Sequence, residues 1–119
     1  MTNESPECQD IHAHGGNIRT IQGVSDATLE KAARIFRALG DPARLRILTV
    51  LSQGEACVSE LATKDQLSTV SQRLRVLHSE DIVRRKRNGK HIIYSLADRH
   101  VVEMILNALD HAGETPPAE

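Results

Sequence analysis

Aromatic side chains are nearly missing from this chain: among 119 residues there is no Trp, one Tyr and one Phe. A core built without them must be filled by Leu, Ile, Val and Ala, and no aromatic-lined pocket for an organic cofactor is expected. Cysteine is equally scarce. Cys8 and Cys57 stand far apart with no paired spacing, which excludes a disulfide scaffold and a CxxC site and fits the reducing cytoplasm. No apolar stretch approaches 18 residues, and the first ten residues, MTNESPECQD, lack a basic segment followed by an apolar run. Neither membrane insertion nor secretion is therefore expected. The net charge of -1 predicts no polyanionic partner by itself, and the length suits one domain with a single modest core.

The distribution of charge says more than its sum. Between Arg73 and His91 seven basic residues (Arg73, Arg75, Arg84, Arg85, Lys86, Arg87, Lys90) face two acidic ones, in a chain otherwise acidic. Such clustering is a footprint for phosphate, although many charge runs are only soluble surface.

The pattern of elements gives the cluster a context. Residues 1–24 are polar, with adjacent Gly15 and Gly16 and no helical period, and read as a flexible arm; residues 25–114 read as the folded domain and 115–119 as a tail. A first helix, capped by Ser25 or Asp26, carries Leu29, Ala32, Ala33, Ile35, Phe36 and Leu39 inward and stops at Gly40. Asp41-Pro42 restarts a helix with Leu45, Ile47, Leu48 and Leu51 buried. A short helix over 58–64, a turn over 65–67 and a helix over 68–79 capped by Ser68 follow, with Val70, Leu74 and Leu77 inward. That last helix turns Ser68, Thr69, Ser71, Gln72, Arg73 and Arg75 outward, side chains able to bond base edges and phosphates, as in a helix-turn-helix. From Ile82 to Leu96 the period becomes alternating around Asn88-Gly89, a strong hairpin signal. Arg85, Lys86, Arg87, Lys90 and His91 crowd its tip, and the charges of such a wing are placed for phosphate or the minor groove.

The final stretch, ADRHVVEMILNALDHAGE from Ala97, carries metal-type ligands in two clusters: Asp98 with His100, and His111 with Glu114. At about 1.5 Å per residue, His100 and His111 are roughly 16 Å apart, far beyond the ~2 Å bonds of one zinc ion. An antiparallel second copy would bring the first cluster of one chain against the second cluster of the other, giving two equivalent ions per homodimer. Asp98 fits as an N-cap whose carboxylate swings toward His100. Val101, Val102, Ile105, Leu106 and Leu109 form an apolar stripe for the core and the partner helix. A polar face of this composition is also what any solvated helix shows. On the arm, Cys8, His12 and His14 put three soft or borderline ligands within seven residues.

The run FRALGDPARLRILTVLSQGEACVSELA, followed by STVSQRLRVLHSEDIVRRKRNGKHIIYSLAD, resembles the ArsR/SmtB family of winged-helix metal-sensing repressors over most of residues 25–114. The ending DxH, ten residues, HxxE resembles its zinc-sensing SmtB branch, with Asp98, His100, His111 and Glu114 at the matching positions. The resemblance implies a mainly α, dimeric winged helix-turn-helix with a small β-hairpin wing. It also implies a homodimer on operator DNA that is released by zinc, with no organic cofactor. A second site is implied by Cys8 and His12 on the arm with Cys57 and Glu60, His14 being a possible substitute. The arm of one chain lies against the helix of the other in that family. Ser59 stands where thiolate-rich relatives carry a second Cys, which weighs against cadmium, lead or copper(I), and the turn before Ser68 is about two residues shorter. The resemblance further implies that His111 passes its free N–H to the backbone near Asp81. The competing readings are a thiol-based or copper(I) regulator acting through Cys8 and Cys57, and a metal-dependent hydrolase. Four protein ligands would close a zinc site to water, which speaks against the hydrolase.

Overall fold

A computed structural model of the chain describes residues 23–114, in the order α1 (Asp26–Leu39), α2 (Pro42–Leu51), β1 (Ala56–Cys57), α3 (Val58–Leu61), α4 (Leu67–Ser79), β2 (Val83–Asn88), β3 (His91–Leu96) and α5 (Arg99–Gly113). The chain separates into a unit ending at Ala33 and a unit beginning at Arg34. In the first unit, Ser25 starts α1: its Oγ accepts the Thr28 N–H at 3.1 Å and its carbonyl the Leu29 N–H at 3.0 Å. The expected cap is thus Ser25 rather than Asp26, which instead supplies a negative charge to the first turn.

In the second unit, the α1–α2 corner is satisfied by two side chains. Asp41 Oδ2 accepts the Arg44 N–H at 3.0 Å, with Pro42 in the first helical turn. Arg44 then reaches back to the end of α1, its Nε donating to the Ala38 carbonyl at 2.7 Å. Those are among the carbonyls a helix end leaves without an internal partner.

The recognition-type helix α4 begins one residue earlier than the sequence pattern suggests. Gln66, in extended conformation, is its N-cap, and its carbonyl accepts from Thr69 and Val70 at 3.1 Å each. Ser68 therefore lies within the first turn instead of capping it. The helix ends in a Schellman motif: Ile82 N–H donates to Leu77 O and Asp81 N–H to His78 O, both at 3.0 Å. The left-handed position is held by Asp81, at φ 60°. Asp pays less there than most residues, because its short polar side chain tolerates that backbone. Leu77 and Ile82, the apolar pair that accompanies this motif, are both fully buried.

The wing is an antiparallel hairpin in which Asn88 pairs with His91, so the two-residue loop is Gly89-Lys90, shifted by one from the Asn-Gly reading. Gly89, at φ 65°, takes the first loop position, as a II′ turn requires. The short strand β1, which no periodicity announced, adds to the other edge of β3 with Ala56 opposite Tyr94 and Cys57 opposite Ile93. Ala97 N–H to Ile82 O, at 3.0 Å, closes the base of the hairpin.

Leu48, Leu74, Leu77, Ile82, Val70, Val83 and Ile105 fill the core, with Tyr94 at its margin and no buried charged side chain among the described residues. Two apolar faces fall short of the expected burial. Phe36 on α1 is 64% exposed, and Leu106 and Leu109 on α5 are 40% and 37% exposed. Leu29 is also exposed. Of the inward set expected for α1 only Leu39 is buried, with Ala32 and Ile35 half-buried, while Ala38, outside that set, is buried as well. No described helix is long and apolar enough to cross a membrane.

Candidate nucleic-acid and metal-binding surfaces

The core-facing stripe Val70, Leu74, Leu77 fixes how α4 is turned, and so decides which side chains reach solvent. Ser68, Thr69, Gln72 and Arg75 are exposed, whereas Ser71 and Arg73 are half-buried. Arg73 is not idle: its Nη1 bonds Asp65 Oδ2 at 2.9 Å. Asp65, in the turn before α4, is a partner that spacing alone did not signal, because an eight-residue separation across a turn matches no helical period. Arg75 Nη1 donates to Gln72 Oε1 at 3.1 Å, one turn along the same face.

On the wing every residue from Arg84 to His91 is exposed. The register puts Arg85 opposite Tyr94 and Arg87 opposite Ile92, so these two arginines share one sheet face, while Arg84 and Lys86 share the other. Lys86 Nζ lies 3.6 Å from Glu55 Oε1. Arg85, Arg87 and Lys90 thus stand at the projecting end of a hairpin, a geometry suited to phosphate contact.

On α5 the two ligand clusters are pairs. Asp98 is the N-cap, its Oδ1 accepting the Val101 N–H at 3.1 Å, and the same oxygen lies 3.7 Å from His100 Nδ1. At the other end His111 Nδ1 is 3.5 Å from Glu114 Oε1. The imidazoles are 92% and 88% exposed, so no packing has to be broken for either to take a ligand. Two imidazoles and two carboxylates are a donor set that suits zinc. Each pair alone is half of a tetrahedral shell, and among the described residues no three His, Cys, Asp or Glu side chains come together closely enough to hold an ion.

Cys57 is the residue before α3. Its N–H donates to Glu60 Oε1 at 2.8 Å and its Sγ lies 3.1 Å from Ser59 Oγ. The backbone hydrogen bond from Cys57, then the one from its side chain, hold the Glu60 carboxyl below its ordinary range, and the charge of His91 acts in the same direction. Cys8, His12 and His14 lie outside the described residues, as do the rest of the arm up to residue 22 and the tail 115–119.

Known proteins resemble this chain in sequence and in fold. The family model described as "Bacterial regulatory protein, arsR family" matches residues 41–85. A Synechocystis protein described as a transcriptional repressor SmtB homolog is 37% identical over 94% of this chain and 88% of its own length. A Staphylococcus aureus protein described as a cadmium resistance transcriptional regulatory protein CadC homolog is 33% identical, with 96% of both chains covered. Among solved structures, a homodimeric winged helix-turn-helix DNA-binding domain from Mycobacterium bovis superposes with a TM-score of 0.72 at 32% identity, covering 81% of this chain and 96% of that one. With the fold, a helix-turn-helix followed by a basic wing, and this extent of similarity, the chain belongs to the ArsR/SmtB family of winged helix-turn-helix transcriptional regulators, DNA-binding proteins and not enzymes.

Proposed function

We propose that the chain is a metal-responsive transcriptional repressor. As a metal-free homodimer it holds operator DNA, and it releases that DNA on binding zinc, with cadmium or copper(I) as alternatives, so controlling genes of metal efflux or sequestration. The observation that carries this reading is the distribution of donors on α5. Asp98 pairs with His100 and His111 with Glu114, at 3.7 and 3.5 Å, at opposite ends of one helix. Each exposed pair offers two of the four donors a zinc ion takes, and an antiparallel partner helix supplies the other two. The exposed Leu106 and Leu109 support such a partner, since apolar side chains on one helix gain by being covered. Similarity to a cadmium resistance transcriptional regulatory protein supports a metal as the effector.

When bound, the ion supplies bonds that join the two chains across the helix pair. The residues do the rest. Ser68, Thr69, Gln72 and Arg75 face the base edges, and Arg85, Arg87 and Lys90 hold phosphate. A dimer grips its operator only while its two recognition helices stand about 34 Å apart, one helical turn of DNA. A few kcal/mol of coupling between the pairing of the α5 helices and this spacing is enough for release.

The test is operator release titrated with zinc. His111→Gln should bind operator as the wild type does and resist zinc-driven release. By linkage, operator DNA must weaken zinc binding by the same factor that zinc weakens DNA binding. Full release of the His111→Gln protein, or equal zinc affinity with and without operator, defeats this reading. A second reading, thiolate-based sensing at Cys57 and Glu60 with Cys8 and His12 of the arm, is favoured by the half-exposed Cys57 thiol and the carboxylate bonded to its own backbone.

A further inference from the structure

The sequence groups Arg73 with the outward residues of α4, but its place round the helix is different. At about 100° per residue it stands only about 60° from Val70 and about 40° from Leu77, both buried, whereas Ser68, Gln72 and Arg75 stand about 140–160° from Val70. Arg73 is accordingly half-buried, on a flank of α4 where it lines a cleft of about 450 Å3 together with Arg46, Ile47 and Val50 of α2. There its Nη1 meets Asp65 Oδ2 at 2.9 Å.

The position of Asp65 gives that bond its importance. Asp65 directly precedes Gln66, the N-cap of α4, and the Gln66 side chain makes no capping hydrogen bond. The recognition-type helix thus starts without the side-chain cap that commonly fixes a helix entry. Its first backbone bonds run from the Thr69 and Val70 N–H groups to the Gln66 carbonyl. The Asp65–Arg73 pair ties the residue before the cap to a point two turns into the helix, and the segment it spans carries Ser68, Thr69 and Gln72. By its charge alone a carboxylate near this segment repels phosphate, so any gain it brings to DNA binding has to come through geometry.

We infer that Asp65 is a positioning residue for DNA recognition. Through Arg73 it braces the entry of α4, so that Ser68, Thr69 and Gln72 meet base edges as one rigid set, and Arg73 serves as the other half of the brace instead of as a phosphate or base contact. The inference rests on the reading of those three side chains as base-facing. Its consequence is discrimination: reading a sequence needs the set held in place, whereas the attraction of the wing for phosphate does not.

The experiment compares the metal-free full-length wild type with Asp65→Asn, Arg73→Gln and the double variant. Without DNA, amide hydrogen exchange at Thr69 and Val70 should be roughly two- to fivefold faster in each single variant, the range open to an ion pair near the surface. The double variant should exchange no faster than the singles, because the two substitutions remove one interaction. Unchanged exchange at Leu77, in the core, shows that the variants are folded. With DNA, fluorescence anisotropy over a salt series should show binding to a duplex from the protein's own promoter weakened by a similar factor, a reduced preference over a duplex of unrelated sequence, and a salt slope of log K as in the wild type. Wild-type exchange at Thr69 and Val70 in the single variants, or losses that add in the double variant, overturn the brace. Arg73→Gln weakening both duplexes alike and lowering the slope by about one unit overturns it too, by making Arg73 a phosphate contact. Asp65→Asn tightening both duplexes also overturns it, by making Asp65 a mask over Arg73. A wild type with no preference for its promoter defeats the repressor reading instead, and the exchange rates still decide whether the brace exists.

Discussion

Asp98 does two things with one carboxylate, and the two can be separated. Its Oδ1 accepts the Val101 N–H at 3.1 Å and so caps α5, while the same group stands 3.7 Å from His100 in the half-site proposed above. Asp98→Ala removes both. Losing an N-cap of this kind costs about 1 kcal/mol, and removing its negative charge from the helix N-terminus adds roughly 0.3–1 kcal/mol. For a domain of this size each kcal/mol is worth about 4–8 °C in Tm. The metal-free Asp98→Ala protein should therefore melt several degrees below the wild type. Asn caps as well as Asp, so Asp98→Asn should recover most of that loss and keep only the smaller charge term. Toward zinc the order differs: both variants lack the anionic oxygen, and both should bind it more weakly. The assay is thermal unfolding followed by circular dichroism in the presence of a chelator, at one protein concentration because a dimer's Tm depends on it. Zinc affinity follows from competition with an indicator. If Asp98→Ala melts with the wild type, the cap contributes nothing in solution. If Asp98→Asn binds zinc as tightly as the wild type, Asp98 is not a ligand.

Three further outcomes are expected. Arg87→Ala should weaken binding to all DNA sequences alike and reduce the salt slope of log K by about one unit; an unchanged slope, measured by fluorescence anisotropy over a salt series, would make Arg87 ordinary surface. Leu106→Glu puts a charge on the exposed apolar face of α5 and should turn a metal-free dimer into a monomer in sedimentation velocity at micromolar concentration, whereas a wild type already monomeric there removes the basis of the inter-chain site. Glu60 has its pKa lowered on folding, chiefly by the Cys57 N–H, so its contribution to stability is present above the ordinary glutamate range and is lost as pH falls through the folded value. With chelator present, the difference in Tm between wild type and Glu60→Gln should be constant near neutral pH and shrink below about pH 4.3, the ordinary glutamate value; a difference that grows on acidification refutes the assignment.

Local chemistry made much of this protein readable in its sequence. Ser25, Asp41-Pro42 and Asp98 announce helix starts because capping acts over three or four residues, and the structure has helices beginning after each. The inward stripes of α2 and α4 follow the helical period, and the alternation around Asn88-Gly89 marks the wing. The separation of the α5 ligands into two pairs follows from the rise of a helix alone. What the sequence could not settle depends on contacts between distant segments. A two-residue strand such as β1 has too few positions to show a period, and it exists because β3 offers it an edge. Asp65 meets Arg73 only because the turn folds back along α4. Phe36, Leu106 and Leu109 have the periodicity of core residues and remain exposed, because periodicity says which face of a helix is apolar and only the packed structure says whether one chain has enough surface to cover it.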